Sequence, residues 1–247
     1  MKERIPSLIV SFFIILIWQI IAMYINASYI LPSPIQIIIK IFELKEILFT
    51  VHLPATLNVT IIGLLTSIFL GIFLATIMDF NKTIENALYP VIIASQTIPT
   101  TAIAPLFIVW FGYSIWSKIL VTILITFFPI TITVFDGFKS TKREMEELLL
   151  TYDATKKDIF FKLKIPTALP YFFSALKMSI PLSLIGAAIA EWLGAQSGLG
   201  YFSKRMMTQL DGAGVFAPII ILSLVAMIIV SIISFIENKI IKWRKEI

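Results

Sequence analysis

The side chains that could perform chemistry are few, and their kinds exclude most catalytic sites. The chain has no cysteine and a single histidine, His52. Thiolate nucleophiles, disulfides, sulfur-ligated metals and histidine-based metal centres are therefore not expected. No glycine loop of the G-x-x-x-x-G-K-[ST] type is present to hold a nucleotide phosphate. We expect no catalytic site and no bound cofactor in this chain, and we interpret His52 as a surface residue of an outer loop.

A group of neutral polar side chains interrupts one strongly apolar stretch, "SQTIPTTAIAP". Its members are Gln96, Thr97, Thr100 and Thr101. Pro99 and Pro105 lie beside them, and each proline removes a backbone donor and bends or breaks a helix. Irregular backbone at membrane depth is tolerated where it lines a wet cavity or is buried in protein. The group therefore predicts either the lining of a path for a small polar solute or a hydrogen-bonded packing kink.

Ionisable side chains in or beside apolar stretches are costly and are often functional. Asp79 and Asp136 fall at the ends of two such stretches and are expected at the cytoplasmic interface. Lys177 lies about two turns inside a stretch, close enough to the end to snorkel to the cytoplasmic face. Glu191, next to Trp192, stands at an outer end. Two roles remain open for Glu191, a contact with a gate or an external partner and an interfacial anchor.

These residues must be positioned by helices in a membrane. Of the 247 residues 58% are hydrophobic and only 14% are charged, which is too few charges for a soluble domain. Six stretches approach the roughly 20 residues that cross the apolar core of a bilayer. They are residues 7–24, 56–78, 87–110, 118–135, 168–190 and 216–236. The sequence thus predicts one all-α membrane domain, 1–247, with about six transmembrane helices.

The distribution of basic residues predicts the orientation. Lysine and arginine are concentrated in the two terminal segments and in residues 137–167. The positive-inside rule places these segments, and therefore both termini of a multi-pass protein, on the cytoplasmic side. The same rule explains the net charge of +5 without a nucleic-acid partner. Residues 30–44 are too short to span and predict an amphipathic helix at the outer interface.

Residues 137–167 carry two signals for the start of a helix. "TKRE" at 141–144 and "TKKD" at 155–158 each place an acidic residue three positions after a hydroxyl, the pattern of a capping box. We expect two short helices joined near Asp153, the second of which ends at Pro166.

The second of these helices would have a narrow apolar stripe formed by Ile159, Phe160 and Leu163. Helices this short do not persist alone, so they must dock on something. A solvated loop, a helix on the lipid surface and a site for a protein partner remain open. The acidic residues favour the protein partner, because anionic lipid would repel them.

This segment resembles the cytoplasmic loop motif of the permease subunits of ATP-binding-cassette (ABC) importers. That motif reads Glu-Ala-Ala, three residues, Gly, nine residues, Ile-x-Leu-Pro. The full spacing is kept at Glu147, Leu148, Leu149, Asp153, Leu163, Ile165 and Pro166. Residue identity is kept at Glu147 and Pro166. Asp153 replaces the glycine, a substitution that a left-handed turn tolerates at a cost of about 1 kcal/mol.

Further stretches are similar to the nitrate, sulfonate and taurine importer permeases. They are "LPSP" at 31–34, "SQTIPTTAIAPLFIVWFG" at 95–112, "ALPYFFSALKMSI" at 168–180 and "AEWLGAQSGLGYF" at 190–202. Within that group they are most similar to permeases for pyrimidine precursors of thiamine. The resemblance implies a type I ABC importer permease fold and a path for a small polar solute. A precursor of the hydroxymethylpyrimidine type is favoured, with sulfonate, taurine or nitrate as alternatives.

The resemblance also implies partners. They are a second copy of this subunit, two cytoplasmic ATPase subunits that use ATP and Mg, and an extracytoplasmic substrate-binding protein, all at the plasma membrane of a bacterium. Residues 137–167 would be the coupling element. Glu147 would anchor its first helix on the ATPase, Asp153 would be the hinge, and Ile159, Phe160 and Leu163 would supply an apolar knob.

Two other classes of function fit the sequence less well. An ion-coupled secondary transporter is a more distant alternative, and it would transport without ATP. An intramembrane hydrolase lacks support, because the sequence shows no Ser-His or paired carboxylate arrangement at membrane depth.

Overall fold

A computed structural model describes residues 5–242, which form ten helices and no strand. The helices are α1 (Ile5–Ile25), α2 (Pro34–Glu43), α3 (Lys45–Phe80), α4 (Lys82–Ser95), α5 (Thr100–Phe111), α6 (Ile115–Lys139), α7 (Arg143–Thr151), α8 (Lys156–Gly194), α9 (Leu199–Thr208) and α10 (Gly212–Ile240). The all-α fold that the sequence predicts is confirmed.

Four helices, α3, α6, α8 and α10, are long and apolar enough to cross a membrane. Helices α4 and α5 meet that test only as a pair, and they are bent by 97° at their junction. The predicted segment 87–110 is therefore a broken span or a re-entrant loop. Pro99 directly precedes α5 and accompanies the break, whereas Pro105 lies inside α5 without interrupting it. The apolar part of α1, Ile9–Ile25, is shorter than the other candidates.

The centre of the molecule is helix α6, which packs extensively against both α3 and α8. A Cβ atom added to Gly71 of α3 would lie 2.7 Å from Ile130 of α6, so the glycine allows the two backbones to approach. The hydroxyl groups of Ser67 and Thr126 are hydrogen-bonded between the same helices at 2.6 Å. In a membrane the hydrophobic effect does not drive helices together, because lipid is as apolar as their side chains. Close packing and hydrogen bonds of this kind hold the helices together instead.

Helix α8 continues through Pro166, so the prediction that this proline ends a short helix is wrong. Residues Phe160–Lys164 form a π-helical turn that ends two residues before Pro166, and Leu48–His52 form another that ends two residues before Pro54 in α3. A π turn shifts the hydrogen-bonding partners by one residue. The turn thereby accommodates a proline, which has no N–H to donate.

The two helix-start signals have different outcomes. Thr155 and Asp158 form the predicted capping box at the start of α8. The box predicted at Thr141 is wrong, because α7 begins at Arg143 with Lys142 as its N-cap. The N–H of Thr141 instead donates to the carbonyl of Phe138 at the end of α6. Thr141 therefore belongs to the last turn of the preceding helix.

The predicted helix within residues 30–44 is present as α2. Ser33 and Gln36 form a capping box at its start. Lys40 reaches the carboxylate of Asp211 at 3.0 Å, and Asp211 accepts a hydrogen bond from the N–H of Gly214 at the start of α10. This ion pair links α2 to α10, against which α2 packs.

Candidate functional site

The two regions that the sequence selects lie at opposite ends of α8. Lys164 is near its start and Glu191 is near its end. At 1.5 Å per residue the two are separated by roughly 40 Å along the helix. Residues 137–167 form the loop end of the molecule.

Helix α7 presents an apolar face to its surroundings. Met145, Leu148 and Tyr152 are exposed at spacings of three and four residues, and Tyr152 is 77% exposed. Such spacing puts them on one face. Glu147 is also exposed and pairs with Arg143 at 2.8 Å within α7. No helix of residues 5–242 packs extensively against α7, so this face is free in the isolated chain.

Asp153 adopts the left-handed conformation expected for the hinge, with φ of 57°. The N–H of Ala154 donates to the carbonyl of Leu149, and that of Asp153 donates to Leu150. This pair of bonds is a Schellman motif, which closes the end of a helix and usually contains glycine. The chain therefore keeps the turn of the family motif with aspartate in place of glycine.

The predicted apolar stripe of the second helix faces the chain's own core. Ile159 and Phe160 are buried, and the ring of Phe160 lies 4.8 Å from that of Phe80 and 5.3 Å from that of Phe138. Leu163 and Pro166 are half-buried. The exposed aromatic residue here is Phe161, at 65%. The exposed apolar surface of the loop is thus formed by α7 and Phe161, which the sequence interpretation missed although their helical spacing was visible.

A part-buried ion pair connects the helices of this region. The Lys164 ammonium lies 2.9 Å from both carboxylate oxygens of Asp79 and 3.6 Å from a carboxylate oxygen of Glu146. Asp79 is therefore a partner of the loop, whereas its sequence position indicated only an interfacial residue. Lys177 similarly pairs with Glu237 of α10 at 2.6 Å.

The predicted path residues lie together at the break between α4 and α5. Gln96, Thr97 and Thr101 are exposed and Thr100 is half-buried. The Thr97 hydroxyl donates to the carbonyl of Ala94. The side chains of Gln96, Thr100 and Thr101 make no hydrogen bond within residues 5–242. The broken geometry predicted from the sequence is present, and the role of these residues in a path remains a prediction.

Glu191 does not join this group and is not an exposed anchor. Its side chain is 2% exposed. Its carboxyl group accepts hydrogen bonds from the hydroxyl of Thr56 at 2.8 Å and from the N–H of Gly200 at 2.8 Å. The Thr56 hydroxyl in turn accepts from the N–H of Leu199 at 2.8 Å. Glu191 therefore fastens the start of α9 to α3 and α8.

His52 belongs to the same cluster, so its interpretation as a surface residue is wrong. It is buried, and its Nδ1 atom accepts a hydrogen bond from the N–H of Gly198 at 3.1 Å. Its Nε2 atom is buried without a hydrogen-bond partner among residues 5–242. Three consecutive backbone N–H groups, those of residues 198–200, are thus held by His52, Thr56 and Glu191. We refer to these three side chains as the outer latch.

Only glycine fits at position 198 beside the outer latch. Its φ is 119°, a region that side chains rarely adopt. A Cβ atom at this position would lie 2.1 Å from the carboxyl carbon of Glu191. The wording "GLG" after "AEWLGAQS" was a visible signal, since glycine suits backbone positions that need a positive φ or a close approach. Histidine and threonine, however, come from a distant part of the sequence.

The chain is similar to known transport proteins. The family model described as "Binding-protein-dependent transport system inner membrane component" matches residues 67–242. The formylaminopyrimidine transport permease protein ThiX of Halalkalibacterium halodurans is 54% identical over 237 residues, 95% of each chain. The putative aliphatic sulfonates transport permease protein SsuC of Bacillus subtilis is 32% identical and covers 94% of this chain and 84% of its own.

A solved structure gives the fold. The MetNI methionine ABC transporter, in an inward-facing conformation, matches with a TM-score of 0.55 at 17% identity, over 76% of this chain and 90% of that chain. The type I ABC importer permease fold expected from the sequence is thereby confirmed. The chain belongs to the inner-membrane components of binding-protein-dependent transport systems and is a permease subunit of an ABC importer.

Proposed function

We propose that this chain forms the translocation path for a small pyrimidine precursor of thiamine, of the formylaminopyrimidine or hydroxymethylpyrimidine type. The observation that carries this proposal is its 54% identity, over 95% of both chains, to a formylaminopyrimidine permease. The neutral donors and acceptors of Gln96, Thr97 and Thr101 suit an uncharged heterocycle, which needs hydrogen bonds without tight binding. A sulfonate would call for cationic residues, and these three positions supply none.

The proposed assembly pairs two copies of this chain with two ATPase subunits and an extracytoplasmic binding protein, at the plasma membrane of a bacterium. Both termini and residues 137–167 face the cytoplasm. ATP and Mg act in the ATPase, and this chain contributes no catalytic residue. The free apolar face of α7 supports the placement of the ATPase at this end of the molecule.

The docking surface that we propose for the ATPase consists of Met145, Leu148 and Tyr152 with Glu147 beside them. An exposed face with large apolar residues and a carboxylate suits a protein groove better than lipid or water. Ile159 and Phe160 act behind this surface, because they are packed inside the chain. The role assigned to them is therefore to connect the loop to α3 and α6.

Uptake of isotope-labelled formylaminopyrimidine tests the cargo. In proteoliposomes that contain the permease, its ATPase and its binding protein, uptake should require internal ATP and should persist with an ionophore present. Excess unlabelled alkanesulfonate should leave it unchanged. Competition by the sulfonate would favour a sulfonate as the cargo. Uptake by this chain alone without ATP would indicate an ion-coupled carrier.

The substitution Leu148→Asp tests the docking surface. It places a charge on the exposed apolar face, so the ATPase should no longer co-purify with the permease, while the permease remains in the membrane. Leu210→Asp is the matched control, since Leu210 is an exposed leucine in the loop before α10. Equal co-purification by the two variants would contradict the docking surface.

A further inference from the structure

One ammonium group joins three helices at the loop end of the molecule. Lys164 lies in the π-helical turn of α8, Asp79 lies in the last turn of α3, and Glu146 lies in the first turn of α7. The distances from Lys164 Nζ are 2.9 Å to both oxygens of Asp79 and 3.6 Å to Glu146. No other ion pair among the described residues joins α7 to the rest of the chain.

The burial of this pair requires an explanation. The side chain of Asp79 is 3% exposed and that of Lys164 is 17% exposed. Taking two charges out of water costs free energy that their attraction repays only with excellent geometry, so a buried ion pair is a poor source of stability. What such a pair does provide is a fixed geometry, because a carboxylate that accepts from one ammonium with both oxygens leaves few alternative arrangements.

The surroundings show why a polar link is needed here. A cavity of about 250 Å³ separates α7 from the body of the chain, and its lining includes Leu150, Lys156 and Phe160. Because no helix packs extensively against α7, side-chain packing does not fix its position. Lys164 reaches Glu146 across the edge of this space.

We propose that Lys164 is a positioning residue for coupling, which ties the docking helix α7 to the cytoplasmic ends of α3 and α8 so that all three move together. This inference rests on the proposed function, since it requires an ATPase that moves α7. The π turn that contains Lys164 is continuous with α8. A displacement of α7 therefore moves α8, and α8 extends to the outer latch at its other end.

The test measures the ratio of cargo imported to ATP hydrolysed, in proteoliposomes with the full transporter and labelled formylaminopyrimidine. Lys164→Met should lower this ratio about tenfold, within the range by which residues between two sites change their coupling, while the ATPase still co-purifies and hydrolyses ATP. The matched control is Lys162→Met. Lys162 lies in the same turn and is exposed, and among residues 5–242 it pairs only with Asp158 of its own helix. Its loss should leave the ratio unchanged.

A second variant separates positioning from folding. Lys164→Met strands a buried carboxylate and can reduce the amount of protein in the membrane, whereas Asp79→Asn with Lys164→Met removes both charges. If the double variant accumulates normally and still couples poorly, the proposal is supported. If it couples as the wild type does, Lys164 serves folding only and the proposal is overturned, as it also is by normal coupling in Lys164→Met.

Glu146→Gln tests the link to α7 alone, because it leaves the pair of Asp79 and Lys164 intact. Should neither Lys164 variant accumulate, a reduced ratio in Glu146→Gln supports the proposal and a wild-type ratio overturns it. If the wild type shows no ATP-driven uptake, the proposed function fails and this inference fails with it. If only the inference about Lys164 is wrong, the wild type imports the cargo and every variant imports it with the same ratio of cargo to ATP. The two failures can therefore be told apart.

Discussion

The substitution Gly198→Ala gives the sharpest test of the outer latch. The backbone at Gly198 has φ of 119° and ψ of 157°, a region open almost only to glycine, so alanine costs about 1 to 3 kcal/mol in strain. The new Cβ would also lie 2.1 Å from the carboxyl carbon of Glu191. That carboxyl group must move and lose its bonds from Thr56 and Gly200, at about 1 to 3 kcal/mol for each.

Gly112→Ala is a control that isolates the strain. Gly112 has φ of 65° and ψ of −167°, and a Cβ atom there meets nothing within 4 Å. Its cost should be the strain alone, about 1 to 3 kcal/mol. Gly198→Ala should therefore exceed Gly112→Ala by about 2 to 6 kcal/mol, the sum of two hydrogen bonds. At about 2 °C or more per kcal/mol this difference lowers the melting temperature by at least about 4 °C.

The assay is the fraction of detergent-purified protein that remains monodisperse in size-exclusion chromatography after heating. A double variant, Gly198→Ala with Glu191→Ala, should cost less than the sum of the single variants, because removal of the carboxyl group makes room for the methyl group. Equal melting temperatures for Gly198→Ala and Gly112→Ala, or strict additivity in the double variant, would refute the latch as we describe it.

Three further predictions concern packing and charge. Phe160→Ala should destabilise the chain by about 3 to 5 kcal/mol because it empties a packed site, whereas exposed Phe161→Ala should change stability by about 0.5 kcal/mol or less; similar melting temperatures for the two would show that Phe160 is not packed. Gly71→Leu should reduce the amount of folded protein in the membrane, because a side chain of this size collides with α6, and wild-type levels would contradict the close approach. Lys40→Met should cost about 1 kcal/mol of stability at pH 8, as the loss of a partly exposed ion pair does, and should therefore lower the melting temperature there. The hydrogen bond to Asp211 raises the pKa of Lys40 above its ordinary 10.5, so the pair stabilises fully below that pH, and the difference between variant and wild type should disappear as the pH rises through the raised pKa; a difference that persists there would contradict the ion pair.

Features decided by local sequence were predictable. The capping box at Thr155 and the left-handed turn at Asp153 each depend on two or three neighbouring residues, and both are confirmed. The all-α membrane fold follows from composition and from the length of the apolar stretches. The break between α4 and α5 was also visible, since Pro99 directly precedes α5.

Features decided by distant residues were not predictable. His52 is buried because Gly198 comes to it from another part of the chain, and nothing near position 52 indicates that partner. Asp79 and Lys164 are 85 residues apart, and their pairing depends on how α3 and α8 cross. The prediction that Pro166 ends a helix is wrong for a different reason. The π turn before Pro166 lets the helix continue, and such a turn has no recognisable sequence pattern. Thr141 is not a cap because α7 begins one residue later than its pattern predicts, with Lys142 as the N-cap, and the N–H of Thr141 bonds to Phe138 at the end of α6.

The apolar stripe predicted for the second helix of residues 137–167 is present, but it faces the chain's own core and not a partner. The periodicity of Ile159, Phe160 and Leu163 shows that one face of the helix is apolar, but it does not say whether that face meets a partner or the chain's own core. In the structure the rings of Phe80 and Phe138 occupy that face. The surface left for a partner is then the one formed by Met145, Leu148 and Tyr152.

Helices α3 and α8 are fastened to each other near both of their ends. At one end Lys164 of α8 binds Asp79 of α3, and at the other Glu191 of α8 binds Thr56 of α3. Helix α6 packs against both between these points. Any change of state that keeps these bonds must therefore move α3, α6 and α8 as one body, and the contact between Lys164 and Glu146 joins α7 to it. Under the proposed coupling, an ATPase that pulls on α7 moves this whole body, and the predicted path residues lie outside it, at the break between α4 and α5.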